Sequence, residues 1–110
     1  MQALEGLGDT VVLEVAILDV RVGKETEFEE AFGKAQAIIS SMKGYKSHQL
    51  QTCVENGSRY ILLVNWETLE DHTVGFRESS QYQEWRKLLH HFYKPFPVVE
   101  HYTTVFDNAL

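Results

Sequence analysis

The sequence predicts an α+β fold in which an antiparallel β-sheet carries helices on one face. Three observations predict this class. The chain of 110 residues has room for one hydrophobic core and not for a second. Four segments have strand-like patterns. Two longer segments between them have helical periodicity.

The first predicted strand, residues 11–20, reads VVLEVAILDV and follows a short N-terminal tail, residues 1–10. It is rich in branched residues. Its two faces carry the apolar sets Val11, Leu13, Val15, Ile17 and Val12, Ala16, Leu18, Val20, with Glu14 as the polar residue among the second set. A strand with two apolar faces requires cover on both sides of the sheet.

A helix is predicted next because apolar residues recur at spacings of three and four. They are Phe28, Phe32, Ala35, Ile39 and Met42. Glutamates crowd the first two turns, where the helix dipole stabilises anions. We expect the helix to end at Lys43 and Gly44, a cation followed by a C-cap glycine.

A β-hairpin is predicted over residues 45–67, with Asn56 and Gly57 forming a type I′ turn between its arms. The arm before the turn is polar, as expected for an edge strand. The arm after it, RYILLVNW, is apolar on both faces and is expected to be central.

Two helical pieces are predicted between residues 68 and 93. Thr68 with Asp71, and Ser80 with Gln83, have the spacing of capping boxes. The apolar side of the second piece consists of Tyr82, Trp85, Leu89 and Phe92.

Pro95 and Pro97 are expected to end the second helix and lead into the last strand, residues 98–106. The order strand, helix, strand, strand, helix, strand is that of the ferredoxin-like fold, whose sheet has one bare face. Because the first and third strands are apolar on both sides, we predict a homodimer whose sheets meet face to face, a dimeric α+β barrel.

The net charge of −6 and the absence of a Lys/Arg cluster argue against nucleic acid and anionic membrane as partners. Cys53 is the one cysteine, so the sequence predicts no internal disulfide. The N-terminus lacks the features of a signal peptide, and no apolar run approaches the ~20 residues that span a bilayer. We therefore expect a cytoplasmic protein.

The histidines do not follow a metal-binding pattern. His90 and His91 would diverge by about 100° on a helix, and the sequence contains no HxxxH, HxH or CxxC motif. We therefore expect no metal site. Cys53 and the serines lack the local signature of a catalytic nucleophile. No role is assigned to His48 or His101, nor to the adjacent pair.

A candidate site lies in the segments after the third strand. Trp66 closes that strand, His72 belongs to the short helix that follows, and Arg86 belongs to the next. A tryptophan, a histidine and an arginine around a cleft suit a flat aromatic ligand with an ionisable oxygen, because indole packs on the ring and the cation holds the oxyanion.

We predict Trp66, His72 and Arg86 as catalytic residues. The predicted substrate-binding residues are Leu62, Phe76 and Tyr82. The catalytic candidates also fit structural roles: Trp66 in the core, His72 in solvent, and Arg86 as a surface cation paired with a neighbour on its helix.

Several stretches carry a resemblance to a known family. They are VGKETEFEEAF, GYKSHQLQ, NWETLEDHTVGFRES, the Y..W pair of the second helix, and PFPVVEHY. Together they resemble the antibiotic biosynthesis monooxygenase (ABM) family of dimeric α+β barrel proteins over residues 11–106. The best understood enzymes of that family oxidise aromatic anthrones or hydroquinones to quinones with O2. The resemblance therefore implies a monooxygenase for a small aromatic or quinol-type substrate, with no cofactor.

The resemblance also implies roles for individual residues. Trp66 matches the family's pocket tryptophan, Arg86 falls where quinone-forming members place an anion-stabilising arginine, and His72 falls where some members carry a tyrosine. Leu62 stands where those members have an asparagine.

Other branches of the superfamily suggest alternatives. Haem degradation is not expected, because Val15 and Ala16 replace the asparagine that haem-degrading relatives use on the first strand. His72 keeps open an isomerase or processing enzyme for a small signalling metabolite. A non-catalytic dimer that binds a small apolar molecule also stays open.

Overall fold

The computed structural model describes residues 11–109. The four strands are β1 (Val12–Asp19), β2 (Tyr45–Thr52), β3 (Arg59–Trp66) and β4 (Val99–Tyr102). The two α-helices are α1 (Glu25–Ser40) and α2 (Ser80–Leu89). A π-helical segment, Asp71–Phe76, precedes α2, and a 3-10 turn, His90–Phe92, follows it. The predicted N-terminal tail lies outside the described residues.

The strands form one antiparallel sheet in the order β2-β3-β1-β4. β1 pairs with β3 along its whole length, from Val12 opposite Trp66 to Asp19 opposite Arg59. The edge strand β4 pairs with the Leu13–Ala16 half of β1. The ferredoxin-like α+β fold predicted from the sequence is confirmed.

The core lies between the helices and one face of the sheet, which we call the covered face. Alternate residues of β1 and β3 point into it, and α1 contributes the predicted stripe, of which Phe28, Phe32, Ala35 and Ile39 are buried. The fully buried ring of Phe28 lies 4.9 Å from that of Tyr60 and 5.7 Å from that of Phe92, measured between centroids. Burial of each such side chain stabilises the fold by about 1.5–3 kcal/mol.

The opposite face of the sheet remains partly exposed in the single chain. Its centre consists of Leu13, Val15, Ile17, Ile61 and Leu63, and we call these residues the open face. Val15 lies opposite Leu63, and Ile17 lies opposite Ile61. The apolar second face predicted for both strands is therefore present. Apolar surfaces of this kind mark interaction sites.

The turn between β2 and β3 differs from the prediction. Neither Asn56 nor Gly57 has positive φ, so the prediction of a type I′ turn is wrong. Residues 53–59 instead form two successive turns, in which the Cys53 carbonyl accepts from the Asn56 N–H at 3.3 Å and the Asn56 carbonyl accepts from the Arg59 N–H at 2.9 Å. A connection of this length does not need the mirror-image turn of a two-residue loop.

Three element boundaries also differ. Helix α1 ends at Ser40, before the predicted end, and Gly44 with φ of +83° leads into β2. The N-cap of α2 is Ser79, whose hydroxyl accepts from the Tyr82 N–H at 3.1 Å, and not Ser80. Strand β4 ends at Tyr102 and not at residue 106. Tyr102 pairs with Leu13, next to the first residue of β1, so β1 offers almost no further partners, and residues 103–109 are exposed.

Candidate functional site

A cavity of about 350 Å³ lies between the covered face of the sheet and α2. Its wall is largely apolar and aromatic, and it includes Phe76, Tyr82, Trp85, Tyr93 and Phe96. Glu14, His72, Arg77 and His90 are the polar or charged exceptions besides the tyrosines. A volume of this size and a few convergent polar groups are typical of a small-molecule site.

Among residues 11–109, Glu14 supplies the carboxyl group of the cavity wall. It points to the covered face because side chains alternate along β1, and it is 5% exposed. Its Oε1 accepts a hydrogen bond from Trp66 Nε1 at 2.9 Å and lies 3.4 Å from His72 Nε2. Burial raises the pKa of Glu14 to about 7, although the Trp66 hydrogen bond and the Arg77 charge act in the other direction. A carboxyl with this pKa is suited to act as a base near neutral pH.

His72 lies in the interior, not in solvent. It is 3% exposed, and its ring stacks on the Trp66 indole with 5.4 Å between centroids and 24° between planes. Its Nδ1 lies 2.8 Å from Nε2 of His101. Burial lowers the pKa of His72 to about 3, and the charges of Arg77 and His101 add to the effect, so the imidazole is neutral at pH 7.

The local backbone positions these side chains. Thr68 and Asp71 form the predicted capping box: the Thr68 N–H donates to Asp71 Oδ2 at 3.2 Å, and the Asp71 N–H donates to Thr68 Oγ1 at 3.1 Å. A Cβ on Gly44 would overlap the same Asp71 carboxylate, so only glycine permits this close approach. The end of α1 and the start of the π-helical segment are thereby held together.

The π-helical turn explains which residues after His72 reach the cavity. The Arg77 N–H donates to the His72 carbonyl at 3.1 Å, a bond across five residues. Such a turn holds more residues than the about 3.6 of an α-helix, so Phe76 and Arg77 both lie on the cavity side with His72. In an α-helix, Arg77 would point about 140° away from His72.

Four of the residues predicted for the site line the cavity. They are Leu62, His72, Phe76 and Tyr82. Trp66 is fully buried in the core and reaches the site through its hydrogen bond to Glu14. Arg86 is exposed, bonds to Gln83 at 3.4 Å, and is absent from the described lining. The catalytic and binding roles assigned to these residues stay predictions.

Sequence reasoning missed three residues of the site. Glu14 was visible as the one carboxylate in the covered set of an otherwise apolar strand. His101 pairs directly with Glu14 across β1 and β4, so its position required the register of the sheet. Arg77 required the π-helical turn, which no signal in the sequence announces.

Within residues 11–109, no set of three or more His, Cys, Asp or Glu side chains has an arrangement that would hold a metal ion. Over the same range, no helix combines the length and the apolar character needed to cross a bilayer.

Fold and site together define a small α+β domain with an aromatic cavity and a buried carboxyl group beneath its helices. The model of the antibiotic biosynthesis monooxygenase family matches residues 11–88. The chain therefore belongs to this family, and the resemblance drawn from its motifs is confirmed.

Individual proteins extend the comparison. The uncharacterized protein YczJ of Bacillus subtilis (strain 168) is 59% identical over 95 residues, which are 86% of this chain and 100% of YczJ. A solved structure from Bordetella bronchiseptica that bears the same family name has a TM-score of 0.84 and 34% identity, covering 88% of this chain and 99% of that one. SnoaB from Streptomyces nogalater, described as a cofactor-independent oxygenase, has the same fold with a TM-score of 0.66 and 19% identity, over 92% of this chain and 97% of SnoaB.

Proposed function

We propose that this protein is a cofactor-independent monooxygenase that oxidises a small aromatic or quinol-type substrate with O2. The observation that carries the proposal is Glu14, a carboxyl with a pKa of about 7 in the wall of an aromatic cavity. Membership of a monooxygenase family supports the reaction class. The description of SnoaB as a cofactor-independent oxygenase supports the proposed lack of a cofactor.

The proposed reaction begins with proton removal. The Glu14 carboxylate takes a proton from a phenol or an activated C–H group. Arg77, at the cavity wall, stabilises the resulting anion, and the aromatic side chains pack against the substrate ring and exclude water. The anion transfers one electron to O2, the two radicals combine to a peroxide anion, and the O–O bond breaks to leave the carbonyl group and a hydroxide ion. In total, a CH2 group and O2 become a carbonyl group and water, because the hydroxide and the proton taken by Glu14 together make one water molecule.

O2 consumption tests the proposal. With a panel of anthrones and hydroquinones and a chelator in the buffer, we expect O2 uptake above the uncatalysed rate. With ¹⁸O2 and an anthrone, mass spectrometry should find one labelled oxygen atom in the product. Turnover that disappears with the chelator, or a product without label, would contradict the proposal. Binding of the panel without O2 uptake would favour the alternative of a non-catalytic binding protein.

Two matched variants test which arginine stabilises the substrate anion. Arg77→Gln is expected to lower kcat/KM on the order of tenfold. This loss is smaller than that expected on removal of a fully buried donor, because the Arg77 side chain is largely exposed. Arg86→Gln is expected to change it little, because Arg86 lies outside the described cavity wall. A larger loss in Arg86→Gln would restore the role that the sequence resemblance implies for that residue.

The open face supports the predicted homodimer. Val15 lies at its centre, opposite Leu63, so Val15→Glu would place a charge in an apolar contact between two sheets. We expect the unmodified protein to have about twice the 12.7 kDa chain mass by size exclusion with light scattering, and Val15→Glu to be monomeric. Val54→Glu, the same change in the exposed β2–β3 loop, is the control and should remain dimeric. A monomeric unmodified protein would rule out the dimer.

A further inference from the structure

Three side chains in a row, Glu14, His72 and His101, connect the cavity to the edge of the sheet. Glu14 Oε1 lies 3.4 Å from His72 Nε2, and His72 Nδ1 lies 2.8 Å from His101 Nε2. Glu14 and His72 are buried, whereas His101 is half-buried on the edge strand β4. The two ring nitrogens of His72 therefore face one group each, one on the cavity side and one on the edge side.

We propose that Glu14, His72 and His101 form a proton relay that moves the substrate's proton from the cavity to solvent. The inference deepens the proposed function, because it says how the base is regenerated. Glu14 holds the substrate's proton while the cleaved peroxide oxygen leaves as hydroxide, so the carboxyl must release that proton before the next turnover. Direct release through the substrate-filled cavity is obstructed. The histidine pair offers a path that does not cross the cavity.

The transfer balances without a charged imidazole. Before transfer, the Glu14 carboxyl donates to His72 Nε2, and His72 Nδ1–H donates to His101 Nε2. The Glu14 proton then moves to His72 Nε2, the His72 Nδ1 proton moves to His101 Nε2, and His101 releases its Nδ1 proton to water. Glu14 ends as a carboxylate, and both imidazoles end neutral with their tautomers exchanged.

The surroundings favour this neutral exchange. Burial and the charge of Arg77 lower the pKa of both His72 and His101, so an additional proton on either ring is disfavoured. Tyr82, His90 and Tyr93 are the other ionisable groups in the described cavity wall. Because His72 is uncharged at neutral pH, its contact with Glu14 is not a salt bridge there.

Nuclear magnetic resonance of ¹⁵N-histidine-labelled protein tests the relay without a substrate. Between pH 5 and 9 we expect the His72 proton to move from Nδ1 to Nε2 as Glu14 ionises, with a midpoint near pH 7, so that the two ring-nitrogen shifts exchange. His101 should respond at the same midpoint. Glu14→Gln and His101→Gln should each abolish the coupled change, whereas His91→Gln, at an exposed histidine, should leave it intact. A single His72 tautomer over the whole range would overturn the relay.

Turnover of an anthrone provides a second test. His101→Ala should lower kcat about tenfold, and added imidazole should restore much of it, which a purely structural role would not allow. His91→Ala should keep the kcat of the unmodified protein, and added imidazole should not alter it. No turnover in the unmodified protein, with the tautomer exchange present, would contradict the proposed function and leave the relay standing. Turnover without the exchange, or a slow His101→Ala that imidazole does not restore, would contradict the relay alone.

Discussion

Replacing Glu14 with glutamine is expected to lower kcat/KM for substrate oxidation by about 10²–10⁴-fold, the usual contribution of a general base. Glutamine keeps the size of the side chain and an oxygen that can accept from Trp66 Nε1, so the loss reports on proton transfer. In the unmodified protein, kcat/KM should rise with pH through about 7, because the carboxylate is the active form. Glu14→Gln should lose that rise.

The matched control is Glu100→Gln on β4, whose exposed carboxylate accepts from the Tyr102 hydroxyl and does not line the cavity. It should leave both the rate and the pH profile unchanged. If Glu14→Gln keeps the rise near pH 7, the base is another group.

Glu14→Gln should also change how the free energy of unfolding depends on pH. The pKa of Glu14 is raised in the folded state from its ordinary 4.5 to about 7, so the fold favours the neutral carboxyl. Its contribution is fully present below pH 4.5 and is lost as the pH rises through about 7. Glu14→Gln, which is neutral throughout, should therefore lose less unfolding free energy than the unmodified protein between pH 5 and 8.

The largest expected effect on stability is that of Phe28→Ala. The ring is fully buried and contacts aromatic rings from α1, β3 and the segment before β4, so its removal leaves a cavity at the centre of the core. We expect a loss of about 3–5 kcal/mol in the free energy of unfolding. Urea titration followed by circular dichroism, at one fixed protein concentration, measures this loss.

Phe106→Ala is the control, because this phenylalanine is 93% exposed. Its unfolding free energy should stay within about 0.5 kcal/mol of that of the unmodified protein. A loss below about 1 kcal/mol for Phe28→Ala would mean that the core around α1 closes over the missing ring.

The fold was predictable because its signals are local and periodic. The spacing of Phe28, Phe32, Ala35 and Ile39 identifies both α1 and its buried side without any knowledge of the sheet. What failed was the geometry of short connections. Asn56 and Gly57 suggested a two-residue turn, yet the length of the β2–β3 connection is set by where the strand ladder ends, a property of both strands together.

The site was only partly predictable for a related reason. His72 and Phe76 follow from helical spacing after a strand-ending tryptophan. The contact between His72 and His101 joins residues 29 positions apart, and it exists because β4 pairs with β1 in a register that puts His101 opposite Glu14. The motif resemblance favoured Arg86, but that residue lies on the exposed side of α2.

The wide turn between His72 and Arg77 also bears on how such cavities change over evolution. A relative with one residue fewer in this segment would form an ordinary α-helical turn, with its histidine and arginine four positions apart and still on one side. Insertion or deletion of a single residue here can therefore preserve the chemistry of the wall while shifting the numbering beyond it. Equivalent residues among relatives are defined at this point by the space they border and not by their distance along the chain.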